Sequence, residues 1–334
     1  MRAMLWDILP NGAIQCRLCA HRCRLKKSKK GQCGIRINNG NEMTSLVGNV
    51  VSCAHMDPVE KKPLYHFLPG TKTFSIGSVG CNFTCSFCQN HSISQIPDTG
   101  VVPGKRISPE ELARLAEEQS VPSMAFTYNE PTIFFELVYE AAAIAQISGI
   151  RSILVSNGYM STDCLQALSQ RISAINVDLK SFSDAFYAKY CEARLQPVLD
   201  NLKSIKSMGW WLEVTTLVIP GLNDSEAELK EIAAFIRNEL GENTPWHLSA
   251  FHGAHKMTNY PATPLTLLEK GWQIGREAGL NFVYIGNLSS AIGGNTFCPS
   301  CGALVIERHG YEVRRTGPPG KCPSCSFELP GVWK

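Results

Sequence analysis

From Thr73 to Asn287, short runs of β-branched and apolar residues alternate with stretches of helical periodicity, the pattern of βα units laid around a parallel sheet. Seven runs read as strands: TFSIGSV from Thr73, SMAFTY from Ser123, RSILVS from Arg151, AINVDL from Ala174, WLEVTTLVI from Trp211, WHLSAF from Trp246 and NFVYIG from Asn281. The intervening helices carry readable starts. Ser108 precedes Pro109 and Glu111, so a hydroxyl can cap free amides, a proline fits the first turn and a carboxylate meets the positive helix end. Pro131 opens a second helix in the same way, and Asp224 or Ser225 caps a third that runs to about Leu240. Gly149, Gly209 and Gly279 stand where helices should stop before the next strand. Repeated parallel units favour an α/β barrel, full or partial, although a doubly wound open sheet has much the same pattern.

Composition changes this picture in two ways. The 334 residues suffice for one large domain with appendages, and 32 Lys+Arg against 29 Asp+Glu leave a net charge of only +3, too little to imply a nucleic-acid or anionic-membrane surface. The basic stretch Lys26–Lys30 reads as a solvated loop. The opening MRAMLWDILPNG has no apolar core of signal-peptide length, and a cytoplasmic protein is expected. In such a compartment the 14 cysteines point to metal binding more than to disulfides.

Eleven of those cysteines fall in three clusters, with Cys53, Cys164 and Cys191 read as buried, inert thiols. At the C-terminus Cys298-x2-Cys301 and Cys322-x2-Cys325 form two knuckles. They can close a tetrahedral thiolate site around zinc, with rubredoxin-like iron as the competitor. At the N-terminus Cys16, Cys19, Cys23 and Cys33 offer four more thiols, for zinc or for a second iron–sulfur cluster, with His21 as a neighbour or a substitute ligand. The central cluster, Cys81-x3-Cys85-x2-Cys88 in GCNFTCSFCQN, follows the first strand directly. Three thiolates so spaced hold three irons of a 4Fe-4S cubane and leave the fourth iron open to a chelating ligand. A zinc or electron-transfer site would need a fourth ligand from elsewhere.

This triad, with Phe87 before its last cysteine, resembles the radical S-adenosylmethionine (SAM) superfamily. The order C-x2-C-x3-C, DPVEKKPLYHFLPG from Asp57, GCNFTCSFCQN, TYNEPT, VDLKSF, FHGAHKM, YIGN and the terminal knuckles is similar to the AmmeMemoRadiSam type, related to pyruvate formate-lyase activating enzymes. The resemblance implies a partial (β/α)6 barrel over residues 71–290, after a Cys-rich segment and lead-in at 1–70 and before a zinc ribbon at 291–334. It implies that the cluster donates an electron to SAM, releasing a 5′-deoxyadenosyl radical that abstracts hydrogen from a protein or small molecule.

Site residues follow motif by motif. Phe87 is expected near adenine, and Asn129 and Glu130, in Tyr128-Asn129-Glu130-Pro131, resemble the segment that binds the methionine amino group. Ser156-Asn157-Gly158 resembles a Thr-Asn-Gly segment, with Val155 where the activases carry a cation-binding Asp. Asp178-Leu179-Lys180 resembles a segment whose lysine faces the cofactor carboxylate. Ile219-Pro220-Gly221 resembles a Val-Pro-Gly segment, which implies that Thr215 and Leu217 lie near the cofactor, and Phe251-His252 resembles a Tyr-His pair whose histidine contacts ribose. The implied partners are a flavodoxin or ferredoxin reductant and Memo-type and Amme-type proteins. Glu60, Lys61, Lys62 and His66 suit a salt-bridged lid or a substrate contact, with a structural role preferred. Two other readings stand beside the main one: a glycyl-radical-enzyme activase, and a metal-stabilised adaptor that binds proteins.

Overall fold

The computed structural model describes residues 1–95 and 102–334. Its centre is an eight-stranded sheet built from β1 (Cys53–Pro58), β2 (Lys72–Gly77), β3 (Ser123–Phe126), β4 (Arg151–Ser156), β5 (Ala174–Asp178), β6 (Trp211–Val218), β7 (Trp246–Ala250) and β8 (Val283–Gly286). From β2 to β8 every strand lies parallel to its successor, and β1 adds an antiparallel edge to β2. A doubly wound sheet reverses its strand order at a switch point. This order never reverses, so the chain winds in one direction only.

All seven expected strands form. Among the described residues, the six longer helices between them are α1 (Pro109–Glu118), α2 (Phe135–Ile147), α3 (Thr162–Leu168), α4 (Gln196–Ser207), α5 (Glu226–Phe235) and α6 (Leu265–Glu277). Ser108 accepts the Glu111 amide at 3.2 Å to start α1, whose Leu112, Ala113 and Ala116 face the core. Ser225, not Asp224, caps α5 through the Glu228 amide, and a π-helical turn carries the segment on to Leu240. Pro131 begins a short 3-10 turn ahead of α2, capped by the Glu130 side chain. Gly149, Gly209 and Gly279 all take positive φ, the left-handed conformation that ends a helix without a Cβ clash.

The lower, N-terminal end of the sheet is stoppered by the segment from Val59 to Leu68. Leu64, Phe67 and Leu68 pack with Ala125, Ile153, Ala174 and Val332. Glu213 on β6 accepts the amides of Tyr65 at 3.0 Å and His66 at 2.8 Å, the Trp211 indole at 2.9 Å, and a 2.6 Å hydrogen bond with His247. Burial would raise the Glu213 carboxyl, but His247 outweighs it and holds the group below the usual glutamate range. Below this stopper a three-stranded antiparallel ribbon, Thr296–Phe297, Leu304–His309 and Glu312–Arg315, packs through Val305, Ile306 and Cys298 against Tyr65, Phe282 and Tyr284.

The N-terminal segment forms short antiparallel strands, Trp6–Ile8, Ile14–Cys16 and Arg24–Leu25, then Arg36–Asn38 with Met43–Ser45. It is anchored beside the upper end by a fully buried ion pair between Arg36 and Glu136 of α2, and by the Ala20 amide on the Tyr159 carbonyl at 3.0 Å. Among the described residues, no helix is long and apolar enough to cross a membrane.

Candidate active site at the strand ends

The loop that follows β2 is held in place before its cysteines arrive. Asn129 accepts the Ser78 amide at 3.0 Å and donates to the Gly80 carbonyl at 2.8 Å, so the turn after β3 braces the turn after β2. Gly80 takes φ +96°, and a Cβ there would lie 2.7 Å from Ile35, which requires glycine on both counts. Farther along, the Thr84 and Ser86 amides bond to the carbonyls of Cys191 and Tyr190. Tyr128 adopts φ +69°, a strained value for an aromatic residue that turns Asn129 and Glu130 inward.

Cys81, Cys85 and Cys88 all line one cavity of about 490 Å³ at the upper ends of the strands, where parallel α/β sheets build their sites. Phe87, Asn129, Glu130, Ser156, Asn157, Asp178, Lys180, Thr215 and Leu217 line it as well. His252 does not: its side chain is exposed in the loop after β7 and is absent from the lining. Val155 lines the cavity too.

Glu130 is buried, and its Oε1 accepts from the Thr132 amide and from the hydroxyls of Thr132 and Ser156, all within 3.0 Å. Its Oε2 accepts only the Asn157 amide, at 2.8 Å. Burial raises this carboxyl despite those donors. Asp178 and Lys180 pair at 2.9 Å. Burial opposes the Lys180 charge, but Asp178 and the nearby thiols outweigh it and lift the ammonium pKa well above its usual value. Burial pushes the Cys81 and Cys88 thiols up, whereas a hydrogen bond with Cys191 holds Cys85 below the usual range.

The donor set fits an iron–sulfur cubane with one open iron. Three thiols face the cavity, and among its lining residues there is no histidine and no fourth cysteine. Cys191 is fully buried against Cys85 and lies outside that lining. Two buried polar atoms at the cavity, Thr215 Oγ1 and Asn176 Oδ1, have no partner among the described residues. Such orphans are costly unless a ligand satisfies them.

Several participants went unread in the sequence. Asn176 shares the face of Asp178 two residues on, and a polar residue within AINVDL was the available signal. Asn82 accepts from Asn157 Nδ2 at 2.7 Å beside Cys81. Cys191 carries no sequence signal. Lys61 and Lys62 line the cavity, gripping Asp57 at 2.9 and 2.7 Å, with the Tyr128 hydroxyl also bonded to Asp57. Burial alone would raise Asp57; these partners hold it well below the usual carboxylate range. Glu60 and His66 instead lie buried in the floor. Tyr311, in the tip of the ribbon, reaches the cavity lining, so the ribbon is not remote from the chemistry.

Comparison with known proteins decides the family. The radical SAM superfamily model matches residues 75–236. Protein MJ0808 of Methanocaldococcus jannaschii is 41% identical over 313 residues, covering 93% of this chain and 92% of that one. The chain belongs to the radical SAM superfamily. It is an enzyme of that superfamily, whose domain implies a 4Fe-4S cluster and SAM. The pyruvate formate-lyase-activating enzyme of Clostridium pasteurianum is 22% identical over 214 residues, 60% of this chain and 87% of that protein. The structure of Streptococcus suis SuiB bound to S-adenosylmethionine shares the fold, with a TM-score of 0.52 at 13% identity over 72% of this chain and 56% of that one. In this radical SAM enzyme the ribbon thiols also form a compact set: Cys298, Cys301, Cys322 and Cys325 place their sulfurs within 4.8 Å of one another. They fit one metal ion.

Proposed function

We propose that Cys81, Cys85 and Cys88 hold the 4Fe-4S cluster at the mouth of a partial barrel, and that the residues around them bind SAM for hydrogen abstraction from a substrate above. Held by Cys81, Cys85 and Cys88, such a cluster would supply the single electron for reductive cleavage of SAM, the source of the radical that would take hydrogen from the substrate. The observation that carries this reading is the meeting of three thiols, an anionic pair of walls and two orphaned polar atoms in one cavity.

Each residue's task follows from its free valence. Oε2 of Glu130 retains acceptor capacity for an ammonium group, and a cationic ligand offsets the burial that raises its pKa. Lys180 offers its charge to a carboxylate while Asp178 keeps it protonated. The Thr215 hydroxyl and the Asn176 carbonyl, both unpaired, are free to fix the ligand's polar edge. Phe87 supplies main chain and ring beside Lys180, whose Nζ lies 5.8 Å from the ring centroid. In the ribbon, four thiolates saturate zinc and contribute folding energy.

Anaerobic reconstitution, reduction with dithionite and chromatography for 5′-deoxyadenosine test the reading. Cleavage that requires Cys81, Cys85 and Cys88 is expected, and a reconstituted protein that binds no SAM would sink it. Likeness to a pyruvate formate-lyase-activating enzyme supports a glycyl-radical activase as one form of this activity. No Arg-Val-Ser-Gly-Tyr stretch occurs in the chain, so the radical acceptor is another molecule. A flavodoxin or ferredoxin is the proposed reductant, and Memo-type and Amme-type proteins are the proposed partners or substrates.

A further inference from the structure

The two terminal cysteine quartets differ in a way their spacing does not foretell. Zn–S bonds of ~2.3 Å at tetrahedral angles set sulfurs ~3.8 Å apart. The ribbon meets that requirement, with Cys298 and Cys325 sulfurs 3.6 Å apart and those of Cys301 and Cys322 3.5 Å apart. Among the described residues it is the one group of three or more candidate ligands whose atoms lie within 4.8 Å of one another. The N-terminal quartet is not such a group, and neither is the central triad.

The N-terminal thiols nevertheless converge. Cys16 and Cys23 are joined by a 2.9 Å main-chain hydrogen bond, and the sulfurs of Cys23 and Cys33 each lie 3.7 Å from the position a Cβ would take on Gly31. Glycine keeps that space open between two sulfurs. Arg36 Nη1 lies 4.0 Å from the Cys16 sulfur, and main-chain amides of His21, Gln32 and Ile35 face Cys19, Cys23 and Cys33. No three of these sulfurs lie within 4.8 Å of one another, which is also true of the central triad, and this wider spacing matches a cubane, whose thiolates stand outside the corners of a cube. His21 does not complete a zinc site through Nε2, which is hydrogen-bonded to the Asn82 carbonyl at 2.7 Å.

We propose that Cys16, Cys19, Cys23 and Cys33 bind a second iron–sulfur cluster, through which electrons enter the central site. The placement supports the role. The Cys33 carbonyl lies 3.4 Å from the Cβ position of Gly80, next to Cys81, and His21 bonds to Asn82 on its other side. On the outer side, Lys26, Lys27, Lys29 and Lys30 form an exposed basic run between Cys23 and Cys33, with no acidic partner within 4.0 Å among the described residues. That surface complements an acidic one-electron protein donor. A reduced ferredoxin loses one electron, the outer cluster gains it and passes it on, and the outer cluster returns to its oxidised state with no bond made or broken.

The cluster itself is tested without activity. The Cys81→Ala/Cys85→Ala/Cys88→Ala protein, reconstituted anaerobically, is expected to keep a cubane's complement of iron and sulfide and, once reduced with dithionite, an electron paramagnetic resonance signal that added SAM leaves unchanged. Zinc in place of iron at this quartet, or no metal there, overturns the proposal. Should that variant not fold, Cys23→Ser/Cys33→Ser answers the same question: its iron content is expected to halve while the SAM-sensitive signal stays. The electron-entry role rests on the cleavage reading above and fails separately from the metal content. In Cys23→Ser/Cys33→Ser, cleavage driven by reduced ferredoxin is expected to fall at least tenfold, relative to unchanged cleavage with dithionite. Equal rates with both reductants in both proteins overturn that role.

Discussion

Two carboxylates are buried in the same sheet and are used in opposite ways. Glu213, low on β6, has both oxygens occupied by groups that cannot leave: two main-chain amides, an indole and an imidazole. Glu130, above β3, has one crowded oxygen and one with a single donor. The protein environment holds Glu213 below the usual glutamate range and Glu130 above it. A buried charge that is fully matched is a fastener; one left partly unmatched is a receptor awaiting a cation. The lower end of the sheet therefore carries stability, and the upper end the proposed chemistry.

The widest separation is expected from Cys85→Ala, which should take 5′-deoxyadenosine formation below detection while the far-ultraviolet circular dichroism stays that of the parent. Glu213→Ala should do the reverse. Leaving its four donors buried and unmatched costs about 3–5 kcal/mol, read as a lower urea midpoint, yet the folded fraction should still cleave SAM. If Glu213→Ala unfolds at the parental midpoint, the floor is not the fastener described.

Acid should strike the same floor. Burial pushes His66 down to about 4, whereas an unfolded histidine titrates near ~6.5. Between those values the unfolded chain binds the extra proton, so stability falls as pH drops from ~6.5 to ~4, by about 3 kcal/mol from this group. Above that window His66 is neutral in both states and contributes no slope. Glu213, its pKa depressed, gives up stability in the same direction at lower pH, with Arg308 as a further charged neighbour of His66. Urea titrations across this range check the slope, which His66→Gln should flatten.

The smallest effect is the most diagnostic. Thr215→Val removes a buried hydroxyl that has no partner, so the ligand-free protein should gain about 1 kcal/mol of stability. The same change should weaken SAM binding by roughly 5- to 10-fold, the worth of one hydrogen bond, as measured by calorimetry. A loss of stability in the ligand-free protein would show that the hydroxyl serves the fold.

Much of this was legible before any coordinates, for a physical reason. Strands buried on both faces must be apolar runs, and helices must announce their caps, so SMAF, RSILVS and the Ser108 start were readable. The edge strand Cys53–Pro58 was not, because CAHMDP pairs on one side only and carries neither alternation nor β-branched residues. The site motifs named most of the cavity lining, since each ends a strand. Tyr311 reaches it through a ribbon tip, and Asn82 and Cys191 back its cysteines from outside the lining, where position depends on contacts between distant segments. His252 shows the converse: its motif is present, and its side chain points elsewhere.

The floor also imposes an order in time. His66 bonds to the Pro330 carbonyl at 2.8 Å across 264 residues, and Phe67 bridges Val332. Loop-closure entropy makes such long-range contacts slow to form. On the ribosome the parallel strands emerge and pair in sequence, but the stopper beneath them stays unlatched until the ribbon follows. Until then the contacts of His66 and Phe67 with Pro330 and Val332 are unmade, and closing them is expected to be a late step of folding.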